Sequence, residues 1–135
     1  MPRKLLILIA VAALAFASCG GGDKDADDSG GASDAPPVSV AAPDAGHGEE
    51  LFEATCLACH GQRGVGIAGL GKDMQTSTFI RGISDEDLVA FVTKGRPTSD
   101  PLNTTGVEMP ARGGNKDLSD QDLFDIVAYI RTVQS

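Results

Sequence analysis

Apolar residues recur at helical spacing in three parts of this chain, with polar segments between them. Gly48, Phe52 and Cys56 repeat every four residues, and Leu51 and Ala54 widen the same face. The second stretch opens at Ser84, a good N-cap, with Asp85, Glu86 and Asp87 where the positive end of a helix favours acids. Leu88, Val89, Phe91 and Val92 supply its apolar face, and Gly95 with Pro97 stops it. The third repeats the design, with Ser119 as cap, Asp120 and Asp122 in the first turn, and Leu123, Ile126, Val127, Tyr129 and Ile130 inward. Neither a run of alternating strands nor an internal repeat accompanies them. The pattern predicts an all-α domain of three main helices. Gly61 to Gly71, Lys72 to Thr78 and Arg96 to Gly114, rich in Gly, Pro, Asn or Thr, are the loops between. Loops this long in a small domain need something to order them.

The N-terminal third follows a different pattern. Arg3 and Lys4 precede an uninterrupted apolar run, Leu5 to Ala17, and small residues follow, which predicts an export signal over 1–18. The run is shorter than the roughly 20 residues a membrane-spanning helix requires. From Gly20 to about Gly46 the chain is Gly, Ala, Ser, Pro and Asp, too poor in apolar residues to offset the entropy of ordering. Its aspartates, Asp23, Asp25, Asp27, Asp28, Asp34 and Asp44 against Lys24, repel one another, so residues 19–46 read as a tether. As a flexible coil it reaches about 30 Å. The folded domain is then expected over 47–135, short for a self-sufficient hydrophobic core.

Composition adds a strong acidic bias: 11 Lys and Arg stand against 19 Asp and Glu, a net charge of −8. Loss of Arg3 and Lys4 with the signal makes the mature chain more negative still. Such a surface repels nucleic acid and suits a protein partner with a basic patch.

The chemistry centres on Cys56-Leu57-Ala58-Cys59-His60. Two thiols three residues apart on a helical turn project the same way, so each can add to one vinyl group of one porphyrin, with His60 under the iron. The alternatives are a redox dithiol or half a zinc site. Zinc needs about four ligands, and the remaining Cys and His are Cys19, far upstream, and His47. A thioredoxin-like dithiol would sit near a βαβ pattern, which is absent here. Haem attachment is the reading that the spacing favours. A buried haem would also order the loops and complete the core.

A haem iron held by one histidine needs a second protein ligand or keeps an open position for small molecules. The candidates are Met109, Met74 and His47. Met109 stands in Val107-Glu108-Met109-Pro110-Ala111-Arg112-Gly113-Gly114, an irregular loop suited to presenting a thioether. Met74 lies close after His60 without a comparable turn, and His47 falls in the junction with the tether, where a solvated role is expected. Arg96 is a candidate for contact with a haem propionate. Arg63, Lys72, Arg112 and Lys116 read as ordinary surface charges.

From Gly48 to its end the chain resembles monohaem class I cytochromes c, which pair Cys-X-X-Cys-His with a later Met-Pro loop and a C-terminal helix. The resemblance implies an all-α fold around one covalent haem c, with first and last helices crossing where Gly48 and Phe52 meet Tyr129. It implies Cys56 and Cys59 as cofactor anchors and His60 and Met109 as axial metal ligands. It also implies a backbone carbonyl in Ile67-Ala68-Gly69-Leu70 that accepts a hydrogen bond from the imidazole, although Ala68 replaces the family's proline. Upstream, Ala17-Ser18-Cys19 resembles the lipobox of bacterial lipoproteins, with Phe16 where an aliphatic residue is usual. Lipidation would give Cys19 a use, which is otherwise an odd thiol in an exported protein.

The expectation is a monomeric, non-enzymatic single-electron carrier that exchanges electrons with redox proteins. It would be exported, periplasmic or otherwise extracytoplasmic, and held at a membrane through Cys19. The alternatives are a haem enzyme or ligand sensor with an open sixth position, or a fixed subunit of a larger oxidoreductase. For the anchor, Cys19→Ser is expected to move the protein from the membrane to the soluble fraction or to block processing. An intact Met1 on the membrane-bound protein would mean an uncleaved anchor instead.

Overall fold

The structure, a computed structural model, describes residues 41–135. The expected signal over 1–18, Cys19 and the tether as far as residue 40 lie outside the described residues. Helix α1 spans Ala45–Thr55 and begins where Asp44 accepts hydrogen bonds from the amides of Gly46 and His47. A further turn, α2, spans Leu57–His60. Ser77 caps the short α3, Thr78–Arg81, and Ser84 caps α4, Asp85–Lys94, both through hydrogen bonds from amides three residues on. The last helix, α5, spans Asp120–Val133 and starts with a reciprocal capping box between Ser119 and Asp122. The three helices predicted from periodicity are therefore α1, α4 and α5. The short α2 and α3 lay in stretches too brief to show a period. Among the described residues the extended structure is confined to two isolated bridges, Ile67 with Gly71 and Arg96 with Met109.

Helix α1 packs chiefly on α5, and α5 packs also on α4. At the α1–α5 crossing the two backbones touch: a β-carbon on Gly48 would lie 1.9 Å from the Asp125 carbonyl oxygen and 2.9 Å from the Ile126 nitrogen. Only glycine fits. One turn further, the Phe52 and Tyr129 rings meet with centroids 5.3 Å apart and planes tilted by 55°. Phe52, Leu88, Leu123, Ile126, Val127 and Ile130 are the most fully buried side chains. Each contributes about 1.5–3 kcal/mol by leaving water. Arg131 ties α5 to the turn before α4, donating to the carbonyls of Ile80 and Ile83 at 2.7 and 2.8 Å and to Asp85 at 2.8 Å. Among the described residues, no helix is long and apolar enough to cross a membrane.

Packing begins upstream of the expected boundary at residue 47. The Ala41 amide donates to Gln121 at 2.6 Å and the Asp44 amide to Asp125 at 2.9 Å. His47 is accordingly inside α1, and its Nδ1 lies 2.8 Å from the Asp125 carboxylate. Asp125 was not foreseen as a core residue. It is 4 % exposed and is held by His47, the Asp44 amide and Gln121, so that a buried charge has three partners. The hydrogen bond to Asp125 raises the His47 pKa, and the nearby Asp122 and Glu50 carboxylates add to the rise. Burial alone would raise the Asp125 carboxyl, but the bonds from His47, the Asp44 amide and Gln121 outweigh it and leave the value lowered.

Two outcomes follow for the holoprotein. Gly48→Ala is expected to cost at least the upper part of the roughly 1–3 kcal/mol typical of overpacking, measured by chemical denaturation. Because the folded His47 pKa lies above its ordinary 6.5, the His47 contribution is complete below that value and fades as pH rises through the folded value. The stability gap between wild type and His47→Gln should therefore narrow with rising pH. The Asp125 contribution has the opposite sign and is lost as pH falls through its lowered carboxyl value.

Candidate functional site

Helix α1 leads directly into the two-cysteine segment. The Cys56 amide donates to Phe52, and the Cys59 and His60 amides donate to the Cys56 carbonyl at 3.2 and 3.0 Å, so Cys56 to His60 form a helical turn. Both thiols are free. Cys56 is half-buried under the core, and burial reinforced by Cys59 pushes its thiol up to about 11. Among the described residues the potential cluster of three metal-ligating groups is His47 with Asp122 and Asp125, away from the thiols.

His60 Nδ1 lies 3.1 Å from the Lys72 carbonyl oxygen. With that bond made by the Nδ1 proton, Nε2 keeps its lone pair and is free to bind a metal. Burial lowers the His60 pKa, with the Lys72 carbonyl acting in the opposite direction. The acceptor is not in Ile67–Leu70, as the resemblance implied. Paired hydrogen bonds between Ile67 and Gly71, at 2.8 and 3.1 Å, close a turn that carries Ala68 and Gly69 outward. Gly71 then lies on the Cys59–His60 peptide, where a β-carbon would be 2.1 Å from the Cys59 oxygen and 3.2 Å from His60 Nδ1. This contact brings the next carbonyl, that of Lys72, to the ring.

Cys56, Cys59 and His60 open onto a cavity of about 510 Å³ whose walls include Leu70, Ile80, Leu88, Val92, Ile126 and Ile130. Its size is that of a cofactor site, and its lining is largely apolar. Met74 and Met109 both reach it. Met74 is 7 % exposed and packs its side chain against Gly64, to whose carbonyl its amide donates at 2.7 Å. Met109 is half-buried in the loop after α4, where its amide and carbonyl pair with Arg96 at 3.0 and 2.8 Å. Arg96 also lines the cavity; its guanidinium lies over the rings of Phe79 and Phe91, 5.1 and 4.7 Å from their centroids. Its Nε is buried 3.3 Å from Asp100, misaligned for a hydrogen bond, and so keeps an unused donor. Two thiols, an imidazole nitrogen and a thioether around one largely apolar cavity fit a c-type haem.

Several residues that order this site were not identified from sequence. Asn103 accepts from Gly106 at 3.0 Å and donates to the Val107 and Pro97 carbonyls at 2.8 and 3.2 Å, fixing the loop before Met109. Arg112, expected as a surface charge, donates to the Leu118 carbonyl at 2.8 Å and to Asp120 at 2.6 Å, docking the loop after Met109 on the start of α5. Lys72 matters for its carbonyl, and its ammonium donates to Leu102 at 3.3 Å. Arg63 lends its carbonyl to Gln75 at 3.1 Å. Lys116 fits the surface reading, pairing with Asp117 while 90 % exposed.

Comparison with known proteins agrees with this chemistry. The family described as cytochrome c oxidase, cbb3-type, subunit III matches residues 43–130. The cbb3-type cytochrome c oxidase subunit FixP of Azorhizobium caulinodans is 32 % identical over 92 residues, covering 67 % of this chain and 28 % of that protein. This chain thus spans a minor part of the relative it matches.

If the thiols attach the cofactor, denatured protein should retain its haem through acid-acetone extraction and weigh one haem more than the polypeptide. Cys56→Ala and Cys59→Ala should each reduce haem incorporation severely, measured as haem absorbance per polypeptide. Haem recovered free in the extract would rule the assignment out.

Proposed function

This chain belongs to the cytochrome c oxidase, cbb3-type, subunit III family, and we propose that it carries single electrons between membrane-associated redox proteins. Membership makes it a haem-based electron-transfer protein with covalently bound haem c. In our reading Cys56 and Cys59 are the thioether anchors, and His60 Nε2 and the Met109 sulfur are the two axial ligands. The haem, when bound, supplies an iron centre that gains and loses one electron. The protein's part is to hold both ligands, exclude water and leave no place for a substrate.

The observation that carries this reading is the contrast between the two methionines at the cavity. The Met109 peptide is paired on both sides to Arg96, which fixes its position at the wall. Met74 is packed on Gly64 as a core residue. Two strong protein ligands disfavour binding of oxygen or peroxide, and thioether ligation favours ferrous iron.

The partner we propose is a redox protein with a basic patch, complementary to the net charge of −8. The relative FixP is by name an oxidase subunit. This favours an oxidase assembly as the partner and keeps open the reading of this domain as a fixed member of such an assembly. We further propose export, cleavage before Cys19 and a lipid anchor there, with 19–46 as the tether that gives the domain its reach.

The ferric protein is expected to be low-spin, to show the weak far-red absorption of iron–thioether ligation, and to resist cyanide. The ferrous form should resist carbon monoxide at neutral pH. Met109→Ala should abolish the far-red band, admit both ligands and lower the reduction potential, whereas Met74→Leu should preserve the spectrum. Ready carbon monoxide binding by wild type would favour the enzyme or sensor reading. A far-red band that survives Met109→Ala and vanishes in Met74→Leu would reverse the ligand assignment.

A further inference from the structure

We propose that Gly95 and Arg96, at the C-terminal end of α4, form a brace that positions Met109 at the cavity. The inference rests on the reading of Met109 as the second ligand and assigns the residues that hold it there. Gly95 ends α4 with φ 73° and ψ −168°, a conformation open essentially to glycine alone. Its amide still bonds to Phe91 at 2.8 Å, so its position is set by the helix. The Met109–Pro110–Ala111 backbone lies directly on it: a β-carbon on Gly95 would be 2.3 Å from the Met109 oxygen and 2.8 Å from the Ala111 nitrogen. The next residue pairs with Met109 through its backbone across this contact. Arg96 donates to the Met109 carbonyl at 2.8 Å and accepts from the Met109 amide at 3.0 Å.

The side chain of Arg96 gives the brace its second fixing point. Its guanidinium lies over Phe79 from α3 and Phe91 from α4, rings that themselves meet edge-on at 5.2 Å. The Asp100 carboxylate stands 3.3 Å from Nε, and the arginine side chain is 14 % exposed. A planar guanidinium can stack on both rings while facing a carboxylate; a lysine ammonium cannot reproduce that arrangement. Arg96 is therefore clamped through its side chain by α3 and α4 and holds Met109 through its backbone. Leu88 and Val92 anchor α4 in the core, which makes the brace as rigid as the helix behind it. Beyond Met109, Gly113 rests on Thr55 and Arg112 bonds to Leu118 and Asp120, so the ligand loop is held at both ends. Arg96 and Gly95 are positioning residues: they act on the iron only through Met109.

The test uses the purified full-length holoprotein and compares wild type with Gly95→Ala, Arg96→Lys, Val127→Ala, Lys94→Gln and Met109→Ala. The readouts are the far-red band, the rate of carbon monoxide binding to the ferrous form and the melting temperature. Gly95→Ala should lose most of the band and bind carbon monoxide more than about tenfold faster, because the open sixth position becomes a larger fraction of the population. Arg96→Lys retains the backbone pairing and loses the stacking, so a rise of about threefold is expected. Lys94→Gln, a neighbouring exposed change, should match wild type. Val127→Ala, a truncation in the buried core away from the cavity lining, should lower the melting temperature without opening the sixth position; if it opens that position as much as Gly95→Ala, general destabilisation explains the effect and the brace is refuted. Should Gly95→Ala fail to incorporate haem, Arg96→Lys decides alone, with wild-type carbon monoxide kinetics overturning the proposal. If Met109→Ala loses the band while the Gly95 and Arg96 variants behave as wild type, the brace fails and the ligand assignment stands. A band retained in Met109→Ala removes the assignment and the brace with it.

Discussion

The contact on which the architecture depends is the meeting of two backbones at Gly48 and Asp125. A β-carbon at Gly48 would overlap the α5 carbonyl at 1.9 Å, so the distance between α1 and α5 is set by the absence of a side chain. That distance positions everything downstream on α1. Phe52 reaches Tyr129, Cys56 follows one turn later, and the Cys56–His60 turn opens onto a cavity that Ile126 and Ile130 of α5 also line. The buried Asp125 carboxylate sits at the same crossing and accepts from the first turn of α1, which sets the register between the helices as well as their spacing.

The rest of the site is built from segments without regular structure, and backbone contacts order them. Gly71 presses against the Cys59–His60 peptide and delivers the Lys72 carbonyl to the imidazole. Gly95 presses against the Met109 peptide, and Arg96 pairs with it. Each proposed axial ligand is thus approached by a loop that crosses a peptide at a distance only glycine permits. Hydrogen bonds then fix each segment, from the His60 ring to the Lys72 carbonyl and between the Met109 and Arg96 peptides. Asn103 and Arg112 serve the same end by saturating loop carbonyls at Pro97, Val107 and Leu118 that would otherwise need water.

Much of this was legible in the sequence because the relevant signals are local. Helical period located α1, α4 and α5, serine caps and acidic first turns marked the starts of α4 and α5, and the spacing of Cys56, Cys59 and His60 pointed to a haem. The crossing of Gly48 and Phe52 with Tyr129 came from family resemblance, and the structure has it. What could not be read were contacts made by backbone across long separations. Family resemblance puts the imidazole acceptor near Ala68, at the family's proline, whereas the Ile67–Gly71 turn moves the useful carbonyl to Lys72. Asp125 carries no local signal of burial, since nothing near it in sequence reveals that His47 and the Asp44 amide will meet it. For the same reason His47 was assigned to a flexible junction, although Asp44 is a recognisable cap that places it inside α1. Arg112 reads as a surface charge because its partners, Leu118 and Asp120, become neighbours only after the loop folds back.

An electron carrier gains from a site that changes little between its two oxidation states, and the pattern of restraints here bears on that requirement. His60 is oriented by a bond to a carbonyl, and Met109 is held by a two-bond peptide pair backed by a helix end. Restraints of this kind belong to the main chain, so exchanging surface side chains on the loops leaves them intact. The cavity lining comes from α3, α4 and α5 as well as the loops, so the proposed ligands face a wall made largely by packed helices. On this view the small helical core and the long loops are not separate in purpose. The core supplies rigid ends, and the glycines let the loops lie close enough to those ends to share their rigidity.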